Sequence, residues 1–133
     1  MAFIDLNDFK RVNDSLGHAH GDKVLKECGR LLVAAIRETD IAARLGGDEF
    51  VIFLPNTDEE ASTATLDRLH TAFASSLELQ AACVEASIGI VVDEAARSSI
   101  ADLLERADAR MYSIKRAAKT GGRGFSANLS ADA

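Results

Sequence analysis

The chain has no tryptophan, one proline (Pro55), one tyrosine (Tyr112) and only two cysteines. So few cysteines exclude a disulfide scaffold, and Cys28 and Cys83 are not spaced as a metal pair. Both fall in apolar-periodic segments and read as reduced core thiols, which fits a cytoplasmic protein. No apolar run approaches the ~18–20 residues of a membrane span, and no signal-peptide pattern opens the chain, so no membrane contact is expected. Repeats and low-complexity stretches are also absent. Basic residues are in deficit: 15 Lys and Arg against 21 Asp and Glu give a formal charge of −6. That balance argues against a surface that grips nucleic-acid polymers, but a local basic pocket can still hold a phosphate ligand.

What is present is an ordinary globular composition, 47% apolar and 27% charged over 133 residues, enough for one domain around one core. Ala2-Phe3-Ile4 reads as a strand reaching Asp5, followed by a polar helical segment from Asn7 to Ser15 closed by Gly17-His18. A long helix starts near Gly21-Asp22, with Val24, Leu25, Cys28, Leu31, Leu32, Ala35 and Ile36 as its inner stripe. Ile41–Leu45 and Phe50–Leu54 are short strands joined across Gly46-Gly47, a tight-hairpin signal. The second is apolar on both faces and so reads as a central strand. A helix from about Glu59 to Leu77, a strand over Val84–Val92 and a helix from about Ser99 to Lys119 follow. The last helix is expected to turn Ile100, Leu103, Leu104, Ala107, Met111 and Ile114 inward. The small polar segment 126–133 reads as a frayed tail behind a domain over 1–125.

The order β-α-β-β-α-β-α implies an α/β (α+β) sandwich of the ferredoxin-like or polymerase-palm kind, a mostly antiparallel sheet flanked by helices. In that topology the start of the third strand lies beside the end of the first, so Asp5 and Asp48 converge. Paired carboxylates at adjacent strand ends suit phosphoryl transfer with magnesium, since hard cations take oxygen ligands. The hairpin glycines let a nucleotide approach the backbone. Taken singly, each feature also has a plain reading: Gly-Gly-Asp-Glu as a polar turn, Asp5 as a helix cap.

Together the motifs resemble the GGDEF diguanylate cyclase family. The resemblance rests on Arg44-Leu45-Gly46-Gly47-Asp48-Glu49-Phe50, Ile4-Asp5-Leu6-Asn7-Asp8-Phe9-Lys10, Asn13-Asp14-Ser15-Leu16-Gly17-His18 and Gly21-Asp22. Ser87-Ile88-Gly89-Ile90 and Ala107-Asp108 with Tyr112 and Lys115 extend it, in family order, over about residues 3–119. It implies condensation of two GTP into cyclic di-GMP, with two Mg²⁺ per GTP site (Mn²⁺ as a substitute). Asp5, Asp48 and the Leu6 carbonyl would be metal ligands, and Asp48, Glu49 and Lys10 the catalytic set. GTP would be bound by Phe9, Lys10, Asn13, Asp22, Gly46, Gly47, Lys115 and Lys119, with Asn13 and Asp22 on the guanine edge. One site holds one GTP, so a two-fold homodimer is implied, as is an upstream sensory or receiver domain in a cytoplasmic signalling protein.

Arg37-Glu38-Thr39-Asp40 reads plainly as a helix end and turn. In the family, RxxD at this spacing is the inhibitory cyclic di-GMP site, and Arg68 falls where a second contacting arginine often stands. His18 matches the family's Gly-His pair as a local structural residue, while His20 and His70 read as surface.

Three features depart from the family pattern. No counterpart of the usual stretch before the first strand is present, so that strand is expected to be short and one side of the sheet poorly covered. Asn7 stands where an Asp is usual. The terminal Gly-Arg is displaced by about one helical turn, leaving Lys119 or Arg123 as the substitute phosphate ligand. The competing function is therefore a catalytically impaired module that senses cyclic di-GMP or GTP. A different palm-type cyclase or polymerase explains the carboxylates but not the guanine readers.

Overall fold

The computed structural model describes residues 1–93, 97–121 and 126–128. Its elements are β1 (Ala2–Asn7), α1 (Phe9–Leu16), α2 (His18–Ala35), β2 (Ile41–Gly46) and β3 (Glu49–Phe53). They continue with α3 (Glu59–Ser75), α4 (Leu77–Ala81), β4 (Glu85–Ile90), α5 (Ile100–Gly121) and β5 (Ser126–Asn128). The sheet order is β2-β3-β1-β4-β5. β1 pairs antiparallel with both β3 and β4, and β2 with β3, while β5 joins β4 in parallel. The first four strands form the expected ferredoxin-like α+β arrangement.

The two-residue period of a strand divides the core. Ala2, Ile4 and Leu6 of β1, Phe50 and Ile52 of β3 and Ala86, Ile88 and Ile90 of β4 face the inner stripe of α2 and the buried residues of α3. On the opposite face Phe3 and Val91 pack against Ala107 and Met111 of α5, with Val51, Leu103 and Leu104 around them. Asp5 is therefore on the α5 face, two residues beyond Phe3.

Several details differ from the sequence reading. β1 is well covered on both faces, with Ala2, Phe3, Ile4 and Leu6 all buried. The Met1 amine donates to the Val91 carbonyl, 2.7 Å away. α2 begins at His18, three residues before the glycine taken as its start, with Gly17 as the break from α1. α4 is an additional short helix capped by Ser76, and residues 126–128 form β5 where a frayed tail was expected. Ile100 is 67% exposed because it sits in the first turn of α5, short of where that helix meets the sheet. Cys28 is buried and its thiol is pushed up to about 12 by burial, whereas Cys83 is exposed. Cys83 stands at φ 52° in the turn before β4 and is not the core thiol expected from its apolar-periodic segment. His20 and His70 are both half-buried, not surface residues.

α5 lies so close to β4 that Gly89, opposite Phe3, is sterically required. A Cβ there would stand 2.3 Å from both the Ala107 carbonyl oxygen and the Met111 nitrogen. Both are backbone atoms, so no rotamer change relieves the overlap. Arg110 adds a tie, its Nη1 donating to the Ile90 carbonyl at 2.8 Å. Gly89→Ala is expected to lose at least about 1–3 kcal/mol in urea denaturation. A midpoint equal to that of the parent would contradict the close seating of α5.

Candidate active site

The strand register brings the carboxylates together. Asp5 lies opposite Glu49 on β3 and opposite Ser87 on β4. The hairpin turns through Gly47 and Asp48, one residue later than a Gly46-Gly47 turn, since Gly46 is paired with Glu49. Gly47 adopts φ 50°, a left-handed conformation that glycine takes without strain. Its carbonyl accepts from Arg44 Nε at 2.9 Å, which closes the turn across the two arms. The Leu6 N–H donates to the Asp48 carbonyl at 3.2 Å, pinning the hairpin tip to β1 directly beyond Asp5. The ladder shifts between Arg44 and Gly46, leaving Leu45 half exposed at the edge.

α5 supplies the other wall. Lys115 Nζ donates to Asp5 Oδ1, and Asp108, two turns earlier on the same helix, repels both Asp5 and Glu49 electrostatically. Asp5 is 7% exposed. Burial pushes its carboxyl above the ordinary range; the Lys115 hydrogen bond and charge oppose this, and Asp48 and Asp108 reinforce it. The Glu49 carboxyl is also pushed up, first by desolvation and then by Asp5, Asp48 and Asp108. The arrangement is an excess of negative charge with one ammonium inside it.

Such a donor set fits a hard divalent cation that keeps some waters and takes its remaining ligands from a substrate's phosphates. No group of three or more His, Cys, Asp or Glu side chains that could hold a metal ion occurs among the described residues. The two features agree, because magnesium is commonly held by one or two carboxylates with substrate oxygens. Asp48 and Glu49 are half-buried beside the buried Asp5. A cleft of about 580 Å³ lies at the other end of β1, around Met1, Leu54 and Val92. A second, of about 720 Å³, lies beside Asp8, Arg11 and Cys83; neither includes Asp5, Asp48 or Lys115.

The remaining predicted residues fall on α1, α2 and α5. Lys10 and Asp22 are exposed and Asn13 is half-buried, as the α1–α2 corner brings Asn13 against Gly21. Phe9 is buried in the core, so its side chain supports the corner without lining an open surface. Lys119 is exposed in the last turn of α5, and Arg123 lies outside the described residues. Asn7 Oδ1 accepts from the Ser87 hydroxyl at 2.9 Å, a structural use for the amide that replaces the usual carboxylate. The sequence motifs contain Asp108 and Gly89 without marking a role for either. The seven-residue spacing of Asp108 and Lys115, which puts both on one helix face, was the signal available for the first.

Arg37 and Asp40 close the turn after α2. The Arg37 N–H donates to Asp40 Oδ2 at 2.8 Å, and the Asp40 N–H to the Arg37 carbonyl at 3.0 Å. Asp40 Oδ1 is buried and has no hydrogen-bond partner among the described residues. Arg68 is an anchor between helices: Nε donates to the Ala35 carbonyl at the end of α2 (3.0 Å) and Nη2 to Thr65 Oγ1 (2.9 Å).

The sheet topology and the strand-end carboxylates define an α+β domain of the polymerase-palm type. A family profile described as diguanylate cyclase, GGDEF domain, matches residues 1–121, and the chain belongs to that family. It is 39% identical over 122 residues to the diguanylate cyclase DgcP of Pseudomonas aeruginosa, covering 90% of this chain and 18% of that protein. It is 34% identical over 129 residues to the cyclic di-GMP phosphodiesterase PdeR of Escherichia coli, covering 93% of this chain and 18% of PdeR. The crystal structure of the GGDEF domain of DgcB from Caulobacter crescentus in complex with c-di-GMP superposes with a TM-score of 0.76 at 28% identity, covering 95% of this chain and 75% of that one. The chain thus spans under a fifth of the length of these two curated relatives. No helix among the described residues is long and apolar enough to cross a membrane.

Lys115→Met leaves Asp5 buried without its ammonium. The variant is expected to lose about 1–3 kcal/mol in denaturant melts, and Asp5→Asn in the same chain is expected to recover part of the loss. Equal stability of parent and Lys115→Met would show that the pair does not stabilise the fold.

Proposed function

We propose that this domain is a diguanylate cyclase that condenses two GTP into cyclic di-GMP with release of two pyrophosphates. The convergence of Asp5, Asp48 and Glu49 at adjoining strand ends, with Lys115 of α5 against Asp5, carries the reading. Each GTP's 3′-oxygen forms a bond to the other's α-phosphorus, the bond from that phosphorus to the pyrophosphate oxygen breaks, and the 3′-hydroxyl proton leaves. Bound at Asp5, Asp48 and the Leu6 carbonyl, two Mg²⁺, or Mn²⁺ in their place, would supply charge neutralisation of the phosphates and an acidified hydroxyl.

The chain's own groups do the rest. Glu49, beside Asp48 at the hairpin tip and opposite Asp5, is suited to take the departing proton. Lys10 and Lys115, with Lys119 at the end of α5, hold phosphate oxygens, so substrate binding draws Lys115 from Asp5. Gly46 and Gly47 leave the hairpin tip bare for the nucleotide. Asp22 accepts from the guanine N1–H and amine, and Asn13 pairs with a guanine acceptor. One chain orients one GTP, so the reaction needs two domains face to face in a homodimer. In a longer signalling protein of the cytoplasm, an upstream domain would control that approach.

Arg37 and Asp40 form the site for product inhibition. The unpartnered Asp40 Oδ1 supports this, since a buried acceptor gains from a guanine N–H donor; Arg68 braces the end of α2 behind it. A second reading, a non-catalytic sensor of cyclic di-GMP or GTP, has in its favour the displaced terminal arginine and the Lys115–Asp5 pairing.

Incubation with GTP and Mg²⁺ is expected to give cyclic di-GMP by chromatography, at a rate per chain that rises with protein concentration. Asp48→Ala should lower it by at least about 100-fold, in line with loss of a principal electrostatic stabiliser. No product at any concentration, with cyclic di-GMP still bound, would favour the sensor. In calorimetry, Arg37→Ala should weaken cyclic di-GMP binding about tenfold or more, the scale of one charge-assisted hydrogen bond. Parent-like affinity and stoichiometry would remove the inhibitory site.

A further inference from the structure

The last turn of α1 and the second turn of α2 meet at Asn13 and Gly21, and their contact is unusually close. A Cβ built on Gly21 would lie 1.9 Å from Asn13 Oδ1, 3.0 Å from Asn13 Cγ and 3.2 Å from Phe9 Cζ. Gly21 is buried and Asn13 half-buried. No hydrogen bond holds the Asn13 amide among the described residues, although the Asn13 backbone carbonyl accepts from Gly17 N–H at 2.9 Å. The amide is therefore placed by shape. It lies in the space that any other residue at position 21 would fill, above the buried Phe9 ring.

Gly29 offers a contrast within the same helix, because a Cβ there meets nothing within 4 Å. Glycine inside a helix is disfavoured relative to alanine. At Gly29 no contact accounts for that cost, and at Gly21 the Asn13 amide does. The severe overlap at Gly21 is with the rotatable end of a side chain, unlike the backbone atoms at Gly89, and the Phe9 ring at 3.2 Å has only a few tenths of an ångström to give. A methyl group at position 21 would therefore evict the amide and leave the fold standing.

We infer that Gly21 is a positioning residue for base selection, holding the Asn13 amide beside Asp22 so that the pair distinguishes guanine from adenine. The inference rests on the reading of this domain as a GTP-binding one. Asp22 follows Gly21 directly on α2 and is exposed, so the distance between amide and carboxylate depends on how far Asn13 sinks against position 21. Guanine offers donors at N1 and the amine and an acceptor at O6; adenine puts a donor where O6 stands. An amide and a carboxylate at a fixed spacing match the first pattern and oppose the second.

The test is calorimetry with 3′-deoxy-GTP and 3′-deoxy-ATP in Mg²⁺; neither analogue can be condensed, because both lack the 3′-hydroxyl. Gly21→Ala is expected to weaken 3′-deoxy-GTP binding about tenfold, the scale of one lost hydrogen bond, without changing 3′-deoxy-ATP binding. Its melting temperature should not fall, and Gly29→Ala should bind like the parent. In an Asn13→Ala background, Gly21→Ala should add no further loss, because the two act through one amide. Parent-like discrimination in Gly21→Ala, an equal loss with Asn13 already removed, or failure of the variant to fold would overturn the inference while leaving GTP binding intact. A parent without preference for 3′-deoxy-GTP over 3′-deoxy-ATP would instead defeat the reading on which the inference rests.

Discussion

A carboxylate almost closed off from water on a central strand needs a counter-charge, and Asp5 has one in Lys115. The ammonium comes from α5, a helix that closes the face of the sheet only because Gly89 lets its backbone approach β4. The hairpin tip is fixed from the other side by the Leu6 N–H to Asp48 carbonyl bond. The site therefore depends on two separate dockings onto the middle of the sheet. Each brings charge: the hairpin brings Asp48 and Glu49, and α5 brings Asp108 with Lys115. Carboxylates outnumber the ammonium, which is why burial and mutual repulsion raise both Asp5 and Glu49. A protein does not gain stability from such crowding; a cation and a phosphate-bearing ligand together would relieve it.

α2 joins the two sites proposed above. Gly21 and Asp22 sit near its start, and Arg37 follows directly beyond its end. With 18 residues the helix is about 27 Å long. Ligands at its two ends would thus be separated by a rigid rod whose far end Arg68 ties to α3. β2 leads from Asp40 straight back to the hairpin, so the Arg37–Asp40 turn is joined to the carboxylates through α2 on one side and β2 on the other.

The strand and helix order was legible because alternation in β1, β3 and β4 and the stripe of α2 are strong patterns, and convergence of Asp5 with Asp48 follows from that order. Less legible were features set by tertiary distance. Nothing in the local pattern marks Gly89 or Gly21 as points of close approach, because glycine shows only the missing side chain and not the neighbour that occupies its place. Cys83 and Ile100 fit the apolar period of their segments yet lie just outside the packed lengths, where period continues but burial does not. β5 escaped because a three-residue edge strand has too few residues to show any alternation.

The most direct measurement is a crystal structure of this chain with 3′-deoxy-GTP and Mg²⁺. The expected result is the base between Asn13 and Asp22, phosphates near Lys10 and Lys115, metal density against Asp5 and Asp48, and Lys115 released from Asp5. A nucleotide bound away from the hairpin with the Asp5–Lys115 pair unbroken would contradict it.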